Sequence, residues 1–233
     1  MKGIILAAGK GSRLYPLTLN KPKSLLAIGD ETILGRLIRQ LKSYGVKDIL
    51  IVVGFQKNEI INYCKGLARF SFYEKFNETN NLHTLWSVKE EIDSEMIISF
   101  ADLVLQDEVI EGLINSEKDL TLTVDSSQVL ESTMKVRCEH NMIKNIKSTT
   151  EDEATGNFIG IAKFSQKGAK DLVNEMESLI GGNYDDYYTL AIDRMARRGK
   201  PIACFDVSKF FWREIDTLDE YYETNAALCN LEK

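Results

Sequence analysis

The chain has 233 residues, 44% hydrophobic and 27% charged, the balance of a globular protein long enough to bury a core without disulfides or structural metals. Its 29 Lys and Arg stand against 35 Asp and Glu, and the net charge of −6 argues against general binding to nucleic acid or to acidic membranes. Cys64, Cys138, Cys204 and Cys229 are scattered without a Cys-x-x-Cys pair, as expected of free thiols in a reducing compartment. His83 and His140 are the only histidines, which speaks against a His-based metal site or proton relay. No apolar run reaches the length of a membrane span, and Lys10 and Arg13 interrupt the short apolar start too early for a signal peptide, so a cytoplasmic protein is expected.

In chain order, Gly3–Ala8 reads as a buried strand. Thr32–Tyr44 carries Ile33, Leu34, Leu37, Ile38 and Leu41 at helical spacing, and Gly45 ends that helix. Asp48–Val53 is a second strand, Gln56–Leu67 is helical, Phe70–Tyr73 is a third strand, Asn81–Ile92 is helical and Met96–Phe100 is a fourth strand. This alternation predicts a mostly parallel sheet wrapped by helices. The character then changes. Leu120–Asp125, Met134–Glu139, Met142–Ile146 and Phe158–Phe164 read as strands joined by short turns, with a hairpin turn at "EHNM". Helices near Ser165–Leu179 and Asp186–Arg198, a strand near Pro201–Val207 and a helix near Leu218–Leu228 complete the chain. No repeat or linker-like composition divides it, so a single domain over residues 1–233 is expected.

The chemistry concentrates after the first strand, in "LAAGKGSRLYPLTLNKPKSLL". Gly9 and Gly11 let backbone approach a ligand and leave amides free to face anionic oxygen. Arg13 can fork onto phosphate, and Lys23 supplies a compact positive charge. The spacing is neither that of the ATPase P-loop nor that of a dinucleotide fingerprint, because Leu14 stands where the latter needs its third glycine. The stretch resembles, nearly residue for residue, the signature of the sugar nucleotidyltransferase superfamily. The resemblance implies a Rossmann-like α/β fold with a mixed, mostly parallel central sheet flanked by helices and a small β-rich acceptor-side portion near residues 118–164. It implies that Leu6, Ala7, Ala8, Gly9, Gly11, Ser12 and Arg13 hold a nucleoside triphosphate, with Lys23 reaching its α-phosphate.

Two acidic positions follow from the same resemblance. "ISFADLVL" supplies Asp102 just after the fourth strand, and "FFWREIDTLDEY" supplies Asp216; both are implied ligands of Mg2+. Phe100 departs from the family, which has a polar residue there. Without the family signature, each aspartate would read as a helix cap or a solvated loop residue, and Thr217 as the cap of the last helix.

"FNETNNLHTLWSVKEEI" narrows the branch, because Asn80 and Asn81 open a helix as in phosphocholine cytidylyltransferases and their relatives acting on 2-aminoethylphosphonate. Two carboxamides at a helix start could read a base edge or bind an anion, and a lone Asn there would be a plain cap. "STMKVRCEHNMIKNIKS", "TGNFIGIAKF" and "YDDYYTLAIDRM" resemble further segments of those relatives, with Asn157 and Leu190 standing where acidic residues are common. An ammonium-bearing acceptor would want aromatic faces and carboxylates, for which Trp86, Tyr187, Tyr188 and Trp212, and Asp185, Asp186 and Glu214, are candidates beside Asn157; Lys135 is a candidate for the acceptor's phosphoryl group. Each aromatic has core packing as its plain alternative.

The implied reaction is Mg2+-dependent transfer of CMP from CTP to a small phosphorylated or phosphonylated amine or alcohol, by a monomer or homodimer that binds neither nucleic acid nor membrane. Two alternatives stay open: a sugar-1-phosphate enzyme using UTP or dTTP, and a nucleotide-binding homologue without activity.

Overall fold

The computed structural model describes residues 1–130, 134–146 and 153–231. Ser132, Thr133, Lys147 and Ser148 of the quoted stretches lie outside the described residues.

Strand β1 (Lys2–Ala7) is buried along its whole length past Lys2, since both of its faces are covered. The elements that follow are the two-residue strands β2 (Ala27–Ile28) and β3 (Glu31–Thr32), helix α1 (Ile33–Ser43), β4 (Asp48–Val53), α2 (Lys57–Tyr63), β5 (Arg69–Phe72), α3 (Asn81–Trp86), β6 (Met96–Phe100), β7 (Leu103–Leu105) and α4 (Asp107–Ile114). Then come β8 (Leu120–Asp125), β9 (Met134–Glu139), β10 (Met142–Ile146), β11 (Gly156–Phe164), α5 (Gln166–Glu177), α6 (Thr189–Arg197), β12 (Ala203–Asp206), β13 (Trp212–Glu214) and α7 (Leu218–Leu231).

Nine strands form one mixed sheet in the order β5-β4-β1-β6-β11-β8-β12-β10-β9. The segment β5-β4-β1-β6 is parallel, and β11 turns the sheet antiparallel on β6. The strands expected as a smaller β-rich portion are thus members of this same sheet. Alternation along β1 separates two cores. Ile4 and Leu6 pack with Leu82 and Leu85 of α3, Leu172 of α5 and Ile192 of α6. Ile5 and Ala7 pack on the opposite face with Leu34, Leu37 and Leu41 of α1 and Val109 and Leu113 of α4. Each fully buried Ile or Leu contributes about 1.5–3 kcal/mol. A third, smaller cluster joins Leu14 of the glycine loop, Val104 of β7, Ile215 and Leu228 of α7.

Several boundaries differ from the sequence reading. The helix expected over Asn81–Ile92 is six residues of α3 followed by a separate 3-10 turn at Lys89–Glu91. Helix α2 stops at Tyr63, ahead of Gly66 with its φ of 77°. Helix α1 keeps its expected start, Thr32 Oγ1 accepting from the Gly35 amide at 2.9 Å. No helix of the described residues is long and apolar enough to cross a membrane.

Candidate active site

Three carboxylates meet at the end of the parallel segment. Asp102 follows β6, and β7 pairs antiparallel with β13 so that Leu103 faces Glu214. The Ile215 amide then donates to the Asp102 carbonyl at 3.0 Å, which carries Asp216 alongside Asp102. Asp102, Glu214 and Asp216 each offer an oxygen within 4.8 Å of the others. Glu220 accepts from the Asp216 and Thr217 amides, both at 2.8 Å, and its own amide donates to Thr217 Oγ1 at 3.3 Å. This capping box fixes where α7 starts, and with it the backbone of Asp216.

The glycine loop brings cations to this trio. Gly11 adopts φ 61° and ψ 39°, its carbonyl accepting from Thr18 Oγ1 at 2.7 Å and from the Leu14 amide at 3.1 Å. A Cβ on Gly11 would lie 2.8 Å from the Cβ of Lys23, so glycine is what lets the two segments of the loop touch. Lys23 Nζ lies 2.6 Å from Asp102 Oδ2 and 2.7 Å from Asp216 Oδ1, and Arg13 Nη2 lies 2.9 Å from Asp216 Oδ2. Burial works against the Lys23 ammonium, but the two carboxylates outweigh it and hold the group protonated well above its ordinary value. Glu214 goes the other way: burial, then the charges of Asp102 and Asp216, push its carboxyl up to about 8. Asp102 Oδ1 is buried with no hydrogen-bond partner among the described residues.

These groups line a cavity of about 700 Å³. Leu6 to Ser12, Arg13, Lys23, Asp102 and Asp216 all face it, as do Asn80, Asn81, Lys135, Tyr187 and Glu214. The Asn pair is also tied to the loop before α6. Asn80 Oδ1 accepts from the Asn81 amide at 2.8 Å while its Nδ2 donates to the Asp185 carbonyl at 3.2 Å, and Asn81 Oδ1 accepts from the Tyr188 amide at 2.8 Å. Part of the lining is aromatic, with Phe100 edge-on to Phe158 at 6.2 Å and 6.4 Å from Tyr187.

Four of the residues expected at the acceptor lie outside the cavity lining, as do Asp185 and Asp186. Trp86 is absent from the lining, packs against the core and carries Lys89 Nζ at 4.3 Å from its ring centre. Asn157 is buried, its Oδ1 accepting from the Leu130 amide at 3.0 Å and its Nδ2 donating to the Gln128 carbonyl at 2.6 Å, so it braces the chain beside β8. Trp212 is buried and donates from Nε1 to Asp125 Oδ2 at 2.9 Å. Tyr188 is fully buried, edge-on to Phe100 at 6.0 Å, with a hydroxyl that has no partner among the described residues. Tyr188→Phe should therefore leave the urea unfolding midpoint equal or raised, because a buried unsatisfied hydroxyl contributes nothing to stability. A clear drop in midpoint would reveal a partner for that hydroxyl.

Sequence reasoning missed the lining residues Phe76, Thr79, Met134 and Phe158, and treated Phe100 only as a departure. All four sit inside quoted stretches, Phe76 and Thr79 just ahead of the Asn pair, and Phe76 packs so closely on Gly54, just after β4, that a Cβ there would lie 2.7 Å from its ring. Lys10, Ser24, Thr84 and Ala101 also face the cavity and sit inside the quoted motifs.

A model of the nucleotidyl transferase family matches residues 2–141, over half of the chain and including the glycine loop, Lys23 and Asp102. The chain belongs to the nucleotidyl transferase family. It is 31% identical over 199 residues to the CTP:phosphoglutamine cytidylyltransferase of Campylobacter jejuni, an alignment covering 77% of this chain and 79% of that one. It is 40% identical over 100 residues to the choline-phosphate cytidylyltransferase of Streptococcus pneumoniae, covering 42% of this chain and 43% of the relative. The solved CTP:phosphocholine cytidylyltransferase from Streptococcus pneumoniae superposes with a TM-score of 0.82 at 23% identity, covering 97% of this chain and 98% of that one, a likeness of fold. Alignments to several longer, bifunctional relatives span less than half of those proteins. As a member of this family, the chain is a nucleotidyltransferase with its glycine loop, Lys23 and acidic trio in one cavity.

Proposed function

We propose that this single-domain, cytoplasmic nucleotidyltransferase transfers CMP from CTP to the anionic oxygen of a small phosphorylated or phosphonylated acceptor and releases pyrophosphate. The observation that carries the reading is the meeting of Lys23, Arg13 and the acidic trio beside the loop amides in one cavity. The cytidylyltransferase relatives favour CTP as the donor.

Asp102 and Asp216 fit Mg2+: carboxylate oxygens are its preferred protein ligands, and the buried, unpartnered Asp102 Oδ1 is an acceptor waiting for a cation, with Glu214 within 4.8 Å as a third oxygen once a cation offsets the burial and charges that raise its carboxyl. When bound, Mg2+ supplies positive charge to the triphosphate and to the charge that develops in transfer. The chain's own groups do the rest. The Gly9–Ser12 amides and Arg13 hold the β- and γ-phosphates, and Lys23 holds an α-phosphate oxygen. The acceptor oxygen forms a bond to the α-phosphorus as the bond from that phosphorus to the β-phosphate bridging oxygen breaks. That acceptor oxygen is ionised near neutral pH, so no general base is needed, and rate comes from positioning and charge neutralisation. Lys135 lines the same cavity and suits the acceptor's phosphoryl group, while Phe100, Phe158 and Tyr187 suit an acceptor with an apolar or ammonium body.

The aromatic wall depends on Gly160. Its φ is 98° at an irregularity between Phe158 and Ala162, and a Cβ there would lie 2.7 Å from Phe100 Cδ2. Gly160→Ala should cost about 1–3 kcal/mol in urea unfolding and raise KM for the acceptor by displacing Phe100, with KM for CTP little changed. Unchanged acceptor KM would remove Phe100 from the acceptor site.

The test of function is pyrophosphate release with Mg2+ from CTP, UTP, dTTP and ATP, each paired with phosphocholine, 2-aminoethylphosphonate, phosphoethanolamine and glucose-1-phosphate. CTP with one small amine acceptor is the expected signal. Release from UTP or dTTP with the sugar phosphate would replace this reading with a sugar-1-phosphate enzyme.

A further inference from the structure

We propose that Lys23 is the resident counter-ion of the acidic trio in the nucleotide-free protein, so that a divalent cation gains the trio only when nucleotide phosphates draw the Lys23 ammonium away. The inference rests on the function proposed above and adds an order of binding to it.

The ammonium bridges the two aspartates that would hold the ion, at 2.6 Å from Asp102 Oδ2 and 2.7 Å from Asp216 Oδ1. Divalent magnesium binds carboxylate oxygens at about 2.0–2.1 Å, so even on the unpartnered Asp102 Oδ1 it would sit beside the like charge of the Lys23 ammonium, and it cannot span both aspartates without meeting that charge. The bridge is sheltered: the Lys23, Asp102 and Asp216 side chains are 16%, 16% and 15% exposed, so both the attraction that holds the ammonium and the repulsion it exerts are little screened. Arg13 reaches only Asp216 and is 63% exposed, which makes it the weaker of the two counter-ions.

Lys23 is also built to let go. Its stem lies over Gly11 as far as Cδ, so the ammonium moves by rotation about the last bonds of the side chain. The α-phosphate oxygens of a bound nucleotide would be new partners within the same cavity. Movement of the ammonium onto them frees Asp102 Oδ2 and Asp216 Oδ1 as the nucleotide adds its own oxygens. By linkage, nucleotide then tightens metal binding by the same factor as metal tightens nucleotide binding.

The test is Mn2+ titration of the nucleotide-free protein, with free Mn2+ read by electron paramagnetic resonance. Lys23→Met and Lys23→Gln, two neutral replacements of similar length, should each bind Mn2+ at least about ten-fold tighter than wild type, a change of about 1.4 kcal/mol. Circular dichroism checks that each variant is folded. Lys10→Met removes the same charge from an exposed lysine of the same cavity and should leave Mn2+ binding within about two-fold of wild type. Wild type binding Mn2+ as tightly as the Lys23 variants would overturn the proposal. So would Lys10→Met tightening it equally, since the effect would then be one of net charge. If Mn2+ binds neither wild type nor variants and wild-type CTP turnover is also absent, the functional reading falls with it; if wild-type turnover is intact and only the tightening is missing, the counter-ion role alone is lost.

Discussion

Asp216→Asn should lower CTP-dependent pyrophosphate release by about a hundred- to a thousand-fold while the thermal midpoint stays within about 3 °C of wild type. Asparagine keeps the size of the side chain, and the capping bond from the residue 216 amide to Glu220 is a backbone bond that survives the change. What disappears is one of the two charges that hold Lys23 and half of the aspartate pair offered to Mg2+. The effect belongs in kcat, because the carboxylate would hold the cation whose positive charge offsets the phosphoryl charge developing in transfer more than that of ground-state CTP. Near-normal turnover in a folded Asp216→Asn protein would remove the carboxylate from the chemistry.

The second large effect is on stability. Trp212→Ala should destabilise the protein by about 3–5 kcal/mol in urea unfolding, the cost of emptying a buried aromatic site. Trp212 pairs with Leu105 across β7 and β13, packs in the core with Ile159 and Val207, and holds Asp125 Oδ2 through its indole nitrogen. Trp212→Phe, which keeps most of the packing and loses the hydrogen bond, should cost much less and leave KM for the acceptor unchanged. A Trp212 in contact with the acceptor would show the reverse, a raised acceptor KM with little loss of stability.

These two residues show where the sequence was readable. The parallel strands β1, β4 and β6 are runs of buried aliphatics of ordinary strand length, so periodicity found them and put Gly9 and Asp102 at strand ends, where open α/β sheets bind ligands. The loop was legible because the whole stretch from Leu6 to Leu26 resembles a family signature, where its Gly-x-Gly alone would read as a tight turn. By contrast, β7 and β13 are three residues each, too short for any periodicity, and their pairing is a long-range contact. That pairing is what brings Glu214 to the aspartates, when its residue type alone suggested an acceptor contact. Likewise, an aromatic or an amide does not announce which face it occupies. Tyr187 lines the cavity while its neighbour Tyr188 is buried, and Phe100 becomes cavity wall beside the irregularity at Gly160. Leu190 of α6, a departure from the pattern the resemblance implied, is half-buried and packs against the core.

Phosphorus NMR of the protein with CTP, Mg2+ and phosphocholine or 2-aminoethylphosphonate follows the cytidylyl group itself. Direct passage of CMP to an anionic acceptor oxygen should give inorganic pyrophosphate in equal amount to a new phosphoanhydride whose two phosphorus signals are coupled to each other. Loss of CTP to CMP and pyrophosphate without that coupled pair, with either acceptor present, would mean that water and not the acceptor takes the cytidylyl group, and would contradict it.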